Sequence, residues 1–168
     1  MASRAEFSEE EWELLRAAPS SAGMIVITAA RGGQLRESVE MAKVYADARK
    51  DHGDSELLDE IVAANPRVDS KHYKSREERK QHGLQQLHEA TELLRRKATA
   101  QDVGAFRAFV NGLAKRAAGA AKGGVLGLSG KRVSDAEQSV LEEIAYALDS
   151  GGRWSSAFDD APAPDTGD

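Results

Sequence analysis

The sequence predicts an all-α fold, a compact bundle of about seven helices with two similar helical halves. Apolar residues recur three and four positions apart through most of the chain, as they do on the buried face of a helix. Several of these segments open with Ser or Thr followed three residues later by an acidic residue, which is the pattern of a capping box. The two apolar runs that lack helical periodicity, 24–28 and 125–128, are too short and too few for a stable sheet.

The chain opens with a helix whose first turn is acidic. Ser8 and Glu11 form a capping box, and Phe7 and Trp12 flank it as a hydrophobic staple. Because the residue before a proline disfavours the helical conformation, we expect this helix to end before Pro19.

Two more helices are predicted on either side of a glycine pair. Residues 22–30 lack a polar face and are expected to be buried on all sides, beginning after a cap at Ser20 or Ser21 and ending at Gly32-Gly33. Residues 34–50 carry two neighbouring apolar stripes on one helix. One stripe holds Leu35, Val39, Ala42 and Ala46, and the other holds Met41, Val44, Tyr45 and Ala48.

The remaining helices are marked by their caps. We expect a short helix after Asp54 or Ser55, a long one from about Ser75 to Lys97, one after Thr99 and a last one after Ser134. Each of these four helices has its own apolar face. In chain order, the residues on these faces are Leu57, Leu58, Ile61, Val62, Leu84, Leu87, Thr91, Leu94, Val103, Phe106, Val110, Leu113, Ala114, Ala117, Ala121, Val140, Leu141, Ile144, Ala145 and Leu148. We expect one helical domain over 5–149 and a disordered acidic tail over 150–168.

Short strings recur within the chain and indicate an internal duplication. Its halves would be 8–50 and 99–149, joined by 54–97. Chance similarity between alanine-rich helices is the alternative. Two matches have an offset of 91 residues: 29–33 with 120–124, and Ser8 with Thr99. Two later matches have an offset of 101 residues: 38–39 with 139–140, and 45–46 with 146–147.

The second half also carries a family resemblance. An alanine-rich helix and a glycine turn precede a helix that is opened by Val-Ser-Asp-Ala-Glu at 133–137 and closed by Ile-Ala-Tyr-Ala-Leu at 144–148. This arrangement resembles the TerB-like family linked to tellurite resistance, over 25–50 and 113–149. The resemblance implies an all-helical fold with two similar halves, and a small accessory domain rather than an enzyme.

The chain departs from that family at the turn. The family usually has an acidic residue just before the turn glycine, among its metal-binding positions, whereas this chain has Arg31 and Lys122 there. No metal ligand is therefore transferred from the resemblance.

Composition excludes several classes of function. The chain has no Cys, which excludes disulfides, thiolate metal sites and a Cys nucleophile. The N-terminus is acidic and lacks the apolar core of a signal peptide. The longest uncharged run near the start, 17–30, is shorter than the roughly 20 residues that a membrane span needs. We therefore expect a cytoplasmic protein without a membrane partner.

Charge is distributed unevenly. The net charge of −5 argues against a general nucleic-acid binder, although residues 65–97 carry nine basic and five acidic groups. Within this segment, Tyr73 is the only aromatic residue, and Glu77 and Glu78 interrupt the basic run. A solvated helix start is therefore the favoured interpretation, and no nucleic-acid partner is predicted. The basic residues are Arg67, Lys71, Lys74, Arg76, Arg79 and Lys80.

The glycine-rich segment 124–132 resembles a phosphate-binding loop only superficially. Val125 stands where that motif needs glycine, and Arg132 stands where it needs Ser or Thr. A connection between helices is the favoured interpretation. Lys131 and Arg132 could still contact a small anion at the N-terminus of the last helix.

An acidic segment, Asp47–Glu60, could gather oxygen ligands for a divalent cation. It does not match the EF-hand pattern, and a solvated helix end is the favoured interpretation. The histidines at 72, 82 and 88 do not have metalloprotease spacing. No catalytic, cofactor-binding or metal-binding residue and no cofactor is assigned from the sequence.

Three functional hypotheses remain. The first is a non-catalytic interaction or stress-associated accessory module that works through a protein partner or self-association, and it requires an exposed apolar patch. The alternative is a protein that binds a divalent metal or a small anion, through Asp47–Glu60 or through Lys131 and Arg132. An enzyme with an unrecognised site would need titratable side chains converging in a pocket.

Overall fold

The protein is all-helical, as the sequence predicts. A computed structural model describes residues 2–29, 34–50, 53, 55–64, 73–120 and 134–150. Over these ranges the chain forms six α-helices and one turn of 3-10 helix at Arg4–Glu6, without a strand. The helices are α1 Glu9–Ala29, α2 Gln34–Lys50, α3 Glu56–Ala63, α4 Arg76–Lys97, α5 Ala100–Ala120 and α6 Asp135–Asp149. None of them is both long and apolar enough to cross a bilayer.

The prediction that a helix ends before Pro19 is wrong. α1 continues through Pro19 as one helix of 21 residues. A proline inside a helix removes one backbone hydrogen bond and costs about 3 kcal/mol. Leu15, Ala18 and Ala22 are fully buried on either side of it. Breaking the helix would separate these contacts, so packing outweighs the local preference.

The cap predicted at Ser20 or Ser21 is wrong, because both residues lie inside the continuous helix α1. The other predicted helix starts are confirmed. The Ser8 hydroxyl accepts from the backbone N–H of Glu11 at 3.2 Å, and the Glu11 carboxylate accepts from the backbone N–H of Ser8 at 2.8 Å. Ser134 and Glu137 make the same reciprocal pair at the start of α6. The hydroxyls of Ser55, Ser75 and Thr99 cap α3, α4 and α5. Local sequence therefore specifies where these helices begin.

α1 is the central helix and contacts all five others. It runs antiparallel to α4, since Glu11 near its start pairs with Lys97 at the end of α4, at 2.6 Å between carboxylate and ammonium. The two helices approach closely at Gly83. A Cβ there would lie 2.8 Å from Cδ1 of Ile25, so a side chain at this position requires Ile25 or the helices to shift.

The core is aliphatic and lies between α1, α4, α5 and α6. The predicted apolar faces of α4, α5 and α6 are largely buried, and Phe106 is the largest fully buried side chain.

Polar contacts hold the end of α6. Asp149 at the end of α6 pairs with Arg107 of α5. Arg95 of α4 donates to the backbone carbonyl of Asp149 at 3.1 Å. A cation at this end opposes the negative pole of the α6 helix dipole.

Only one of the two apolar stripes predicted for α2 enters the core. Val44 and Tyr45 are buried and pack with Val62 and Leu113. In the other stripe, Val39 is 48% exposed, and Ala42 and Ala46 are also exposed, so this stripe faces solvent. The side chain of Leu35 lies outside the described residues.

The helix boundaries follow the offsets of the predicted duplication. α1 and α5 are both 21 residues long and begin 91 positions apart. α2 and α6 begin 101 positions apart. The duplication itself stays a prediction.

Some of the predictions fall outside the described residues. These are the tail beyond 150, the segment 121–133 with Lys131 and Arg132, and the turn residues Arg31 and Lys122.

Candidate functional site

The candidate site is a groove where three helix ends meet, with a volume of about 380 Å³. The last turn of α1 forms one side, the first two turns of α4 form the second, and the first turns of α6 form the third. We name it the α1–α4–α6 groove. Its lining residues are Ile25, Thr28, Ala29, Arg76, Glu77, Arg79, Lys80, Ala136, Ser139, Val140 and Glu143.

The α4 side of the groove is cationic. Arg76, Arg79 and Lys80 stand three and four positions apart, so the helix places them on one face. They belong to the positive segment that the sequence analysis interpreted as a solvated helix start. Their spacing is a signal that these charges share one surface. The groove behind that surface depends on α1 and α6, which lie far away in sequence.

Lys80 is held by two carboxylates across the groove. Its ammonium lies 3.0 Å from a carboxylate oxygen of Glu143 on α6 and 3.3 Å from one of Glu77 on its own helix. Burial acts to lower the pKa of Lys80, but the hydrogen bonds to Glu143 and Glu77 outweigh it, so this pKa is raised. Lys80 therefore stays charged and joins α4 to α6.

Arg76 and Arg79 are not neutralised in this way. Over the described ranges, neither guanidinium takes part in an ion pair. The Arg79 guanidinium lies 5.1 Å from the ring centroid of Tyr73. The Tyr73 hydroxyl lies 3.0 Å from Nδ1 of His82, one turn further along α4. The aromatic pair thus supports Arg79 while leaving its charge available.

The α1 and α6 sides of the groove are mixed in polarity. Ile25, Ala29 and Val140 line these sides beside Thr28, Ser139 and Glu143. Ile25 and Val140 are buried, with 3% and 6% of their surface exposed, so they present little hydrocarbon to solvent. The Thr28 hydroxyl donates to the backbone carbonyl of Met24 at 2.7 Å. The feature that distinguishes the groove is therefore its cationic α4 side.

The acidic segment Asp47–Glu60 does not form a cluster in the part that is described. Asp47 pairs with Arg116 at 3.0 Å, whereas Glu60 accepts from the backbone N–H of Arg4 at 2.7 Å. Asp51 and Asp54 lie outside the described residues. No group of three His, Asp or Glu side chains that could hold a metal occurs among the residues that are described.

A buried carboxylate at Asp102 has a role that the sequence shows only in part. Asp102 was expected to serve the cap of α5, and it does, accepting from the backbone N–H of Thr99 at 3.1 Å. It also accepts from the hydroxyl of Ser55 at 2.8 Å, which itself caps α3. Burial acts to raise the pKa of Asp102, but hydrogen bonds from Ser55 and Thr99 outweigh it, so this pKa is lowered. All of its partners are structural, so we assign it to stability.

The chain matches no protein-family model, no curated protein and no solved structure.

Proposed function

We propose that this chain is a small helical accessory module that binds an anionic ligand in the α1–α4–α6 groove. The observation that carries the proposal is the pair Arg76 and Arg79 on the wall of a cavity large enough for a small molecule. Guanidinium groups hold carboxylate and phosphate oxygens by paired hydrogen bonds, so two of them side by side favour an anion.

The surroundings of the two arginines support the proposal. Lys80 is already engaged by the two nearby carboxylates, so among the described residues the two arginines are the groove cations that a ligand can use. The groove lies at the start of α4 and of α6, whose helix dipoles add positive potential, and at the end of α1, whose dipole opposes them, so two of the three helix ends favour an anion. Tyr73 keeps Arg79 in place, which reduces the entropy that the side chain loses on binding.

Titration calorimetry with inorganic phosphate and with acetate tests the proposal. We expect binding by the unmodified chain and a loss of at least tenfold in affinity in the double variant Arg76→Gln/Arg79→Gln. Arg96→Gln/Lys115→Gln is the matched control, since it also removes two positive charges, from exposed positions that do not line the groove. Equal affinity in the double variant and the control, or no binding of either anion, would refute an anion site in the groove.

A second candidate function is association through the exposed face of α2. Val39, Ala42 and Ala46 lie on one outward stripe, and Val39 is 48% exposed. Tyr146 of α6 is the other large apolar side chain that is exposed among the described residues, so the apolar surface of this part of the chain is limited. Light scattering against concentration would show self-association if this face pairs with a second copy, and Val39→Asp would abolish it. A constant monomer mass would exclude that pairing.

A further inference from the structure

Residues 151–168 continue the chain beyond α6, and we name them the acidic tail. They contain four aspartates and one arginine, which gives a net charge of −3. The tail lies outside the described residues, but its point of attachment, Ser150, lies within them. The aspartates are Asp159, Asp160, Asp165 and Asp168.

Two guanidinium groups of the α1–α4–α6 groove suit the carboxylates of the tail. Among the charged groups that line the groove, Lys80 already pairs with Glu77 and Glu143. Arg76 is exposed and Arg79 is half-buried, and neither takes part in an ion pair over the described ranges. Guanidinium groups bind carboxylates by paired, charge-assisted hydrogen bonds. The charge of the tail therefore complements the charge that the groove leaves unpaired.

The distance from the start of the tail to the two arginines can be read along α4. Arg95 of this helix donates to the backbone carbonyl of Asp149 at 3.1 Å, so the end of α6 lies beside Arg95. Arg79 and Arg76 stand 16 and 19 positions before Arg95 on the same helix. At about 1.5 Å per residue, they lie about 24 and 29 Å from that point along the helix axis.

The tail is long enough to cover this distance. An extended chain spans about 3.3 Å per residue, so the nine residues from Ser150 to Asp159 reach up to about 30 Å. By the same measure, Asp165 reaches up to about 50 Å and Asp168 up to about 59 Å. The first aspartate therefore reaches the groove only when the chain is fully extended, and the later ones reach it with length to spare.

We infer that the acidic tail occupies the α1–α4–α6 groove of its own chain, where its aspartates bind Arg76 and Arg79. An anionic ligand must then displace the tail, so the tail regulates the site. This inference rests on the anion-binding function proposed above. Covalent attachment holds the tail at an effective concentration on the order of millimolar near the groove, so a contact too weak to join separate molecules is still populated.

Competition with inorganic phosphate, measured by calorimetry on the full chain, tests the inference. An effective concentration of about 1 mM, acting on a contact with a Kd of about 0.1–1 mM, lowers the apparent affinity of a second anion by about two- to tenfold. We therefore expect phosphate to bind about two- to tenfold more tightly when the tail is neutralised. The neutral-tail variant is Asp159→Asn/Asp160→Asn/Asp165→Asn/Asp168→Asn.

A matched variant controls for the change in net charge. It also removes four negative charges, all from exposed positions that do not line the groove. We expect it to leave the affinity for phosphate close to that of the unmodified chain. The control variant is Glu6→Gln/Glu10→Gln/Glu56→Gln/Glu89→Gln.

Nuclear magnetic resonance of the ¹⁵N-labelled full chain detects the contact without a ligand. The amide chemical shifts of the tail aspartates should change in Arg76→Gln/Arg79→Gln and stay unchanged in Arg96→Gln/Lys115→Gln. Salt at about 0.5 M screens the attraction, so it should move these shifts in the unmodified chain toward the values of the groove variant. All of these shifts should be independent of protein concentration.

The outcomes distinguish this inference from the function on which it rests. If neither the unmodified chain nor the neutral-tail variant binds phosphate, the anion-binding function is refuted and the inference with it. If both bind phosphate with equal affinity, or if the amide shifts of the tail do not respond to Arg76→Gln/Arg79→Gln, the contact of the tail is refuted while anion binding stands. Tail shifts that change with protein concentration would indicate the tail of a second copy and would overturn a contact within one chain.

Discussion

The interaction of Asp102 with Ser55 gives the sharpest test of how this fold is held together. Asp102 is 2% exposed, and its carboxylate accepts from the Ser55 hydroxyl, from the backbone N–H and hydroxyl of Thr99, and from the backbone N–H of Ala2. One side chain therefore connects the N-terminal segment, the cap of α3 and the cap of α5. Replacing Asp102 by Ala removes the acceptor and leaves its buried donors without a partner.

The size of the effect follows from those contacts. Loss of a helix cap costs about 1 kcal/mol, and leaving a buried donor unsatisfied costs about 1–3 kcal/mol. We expect Asp102→Ala to lower the free energy of unfolding by about 2–4 kcal/mol, a large share of the roughly 5–15 kcal/mol typical of a domain. Ser55→Ala loses the hydroxyl that caps α3 and binds Asp102, and should cost about 1–2 kcal/mol.

The pH dependence of this effect has a definite sign. Because the pKa of Asp102 is lowered in the folded protein, the unfolded chain takes up a proton at higher pH than the folded one. The stabilisation by Asp102 is thus fully present above its ordinary pKa of 3.8 and is lost as the pH falls through the folded value. The difference in the free energy of unfolding between the unmodified chain and Asp102→Asn should therefore become smaller below pH 4.

Urea unfolding followed by far-UV circular dichroism measures these quantities. We compare four proteins in a double-mutant cycle: the unmodified chain, Asp102→Ala, Ser55→Ala and the double variant. We expect an interaction free energy of about 1 kcal/mol or more between the two substitutions. Glu11→Ala is the control, because Glu11 belongs to a capping box at the surface of the protein. Zero coupling, or equal losses for Asp102→Ala and Glu11→Ala, would refute the reasoning.

Three further predictions follow from the packing. In urea unfolding, Gly83→Ala should be less stable than Gly104→Ala by about 1–3 kcal/mol. The reason is that a Cβ at Gly83 meets Ile25, whereas a Cβ at Gly104 meets open space. Equal free energies of unfolding would contradict the close approach of α1 and α4 at Gly83. Burial raises the pKa of the Tyr45 phenol, so ultraviolet titration should show a component above pH 10 that Tyr45→Phe removes, and stability should fall above pH 10 as the unfolded phenol ionises first. Tyr73→Leu should weaken anion binding severalfold in calorimetry by removing the aromatic support of the neighbouring guanidinium, and unchanged affinity would exclude that support.

Pro19 shows how tertiary packing overrides a local rule. From the sequence, a proline eleven residues into a helix indicates a boundary. In the structure, fully buried Leu15 and Ala22 lie on either side of it, and continuing the helix keeps both in the core. The cost of about 3 kcal/mol for an internal proline is comparable to the burial of one or two aliphatic side chains.

The sequence by itself determined the helical class and the starts of most helices. Both are local properties: apolar spacing of three and four residues specifies a helix face, and a cap such as Ser134 with Glu137 requires only neighbours in the chain. The same locality explains why α2 was predicted over 34–50, the range that the structure has.

Tertiary structure alone decided which surfaces meet. The sequence offered two stripes on α2 and could not show which one faces the core, because the choice depends on contacts with Leu113 and Val62. It presented Arg76 and Arg79 as surface charges, because the groove behind them is built by helices about 50 and 60 residues away. Contacts between distant segments depend on how whole faces pack together, and no local pattern in the chain encodes that arrangement.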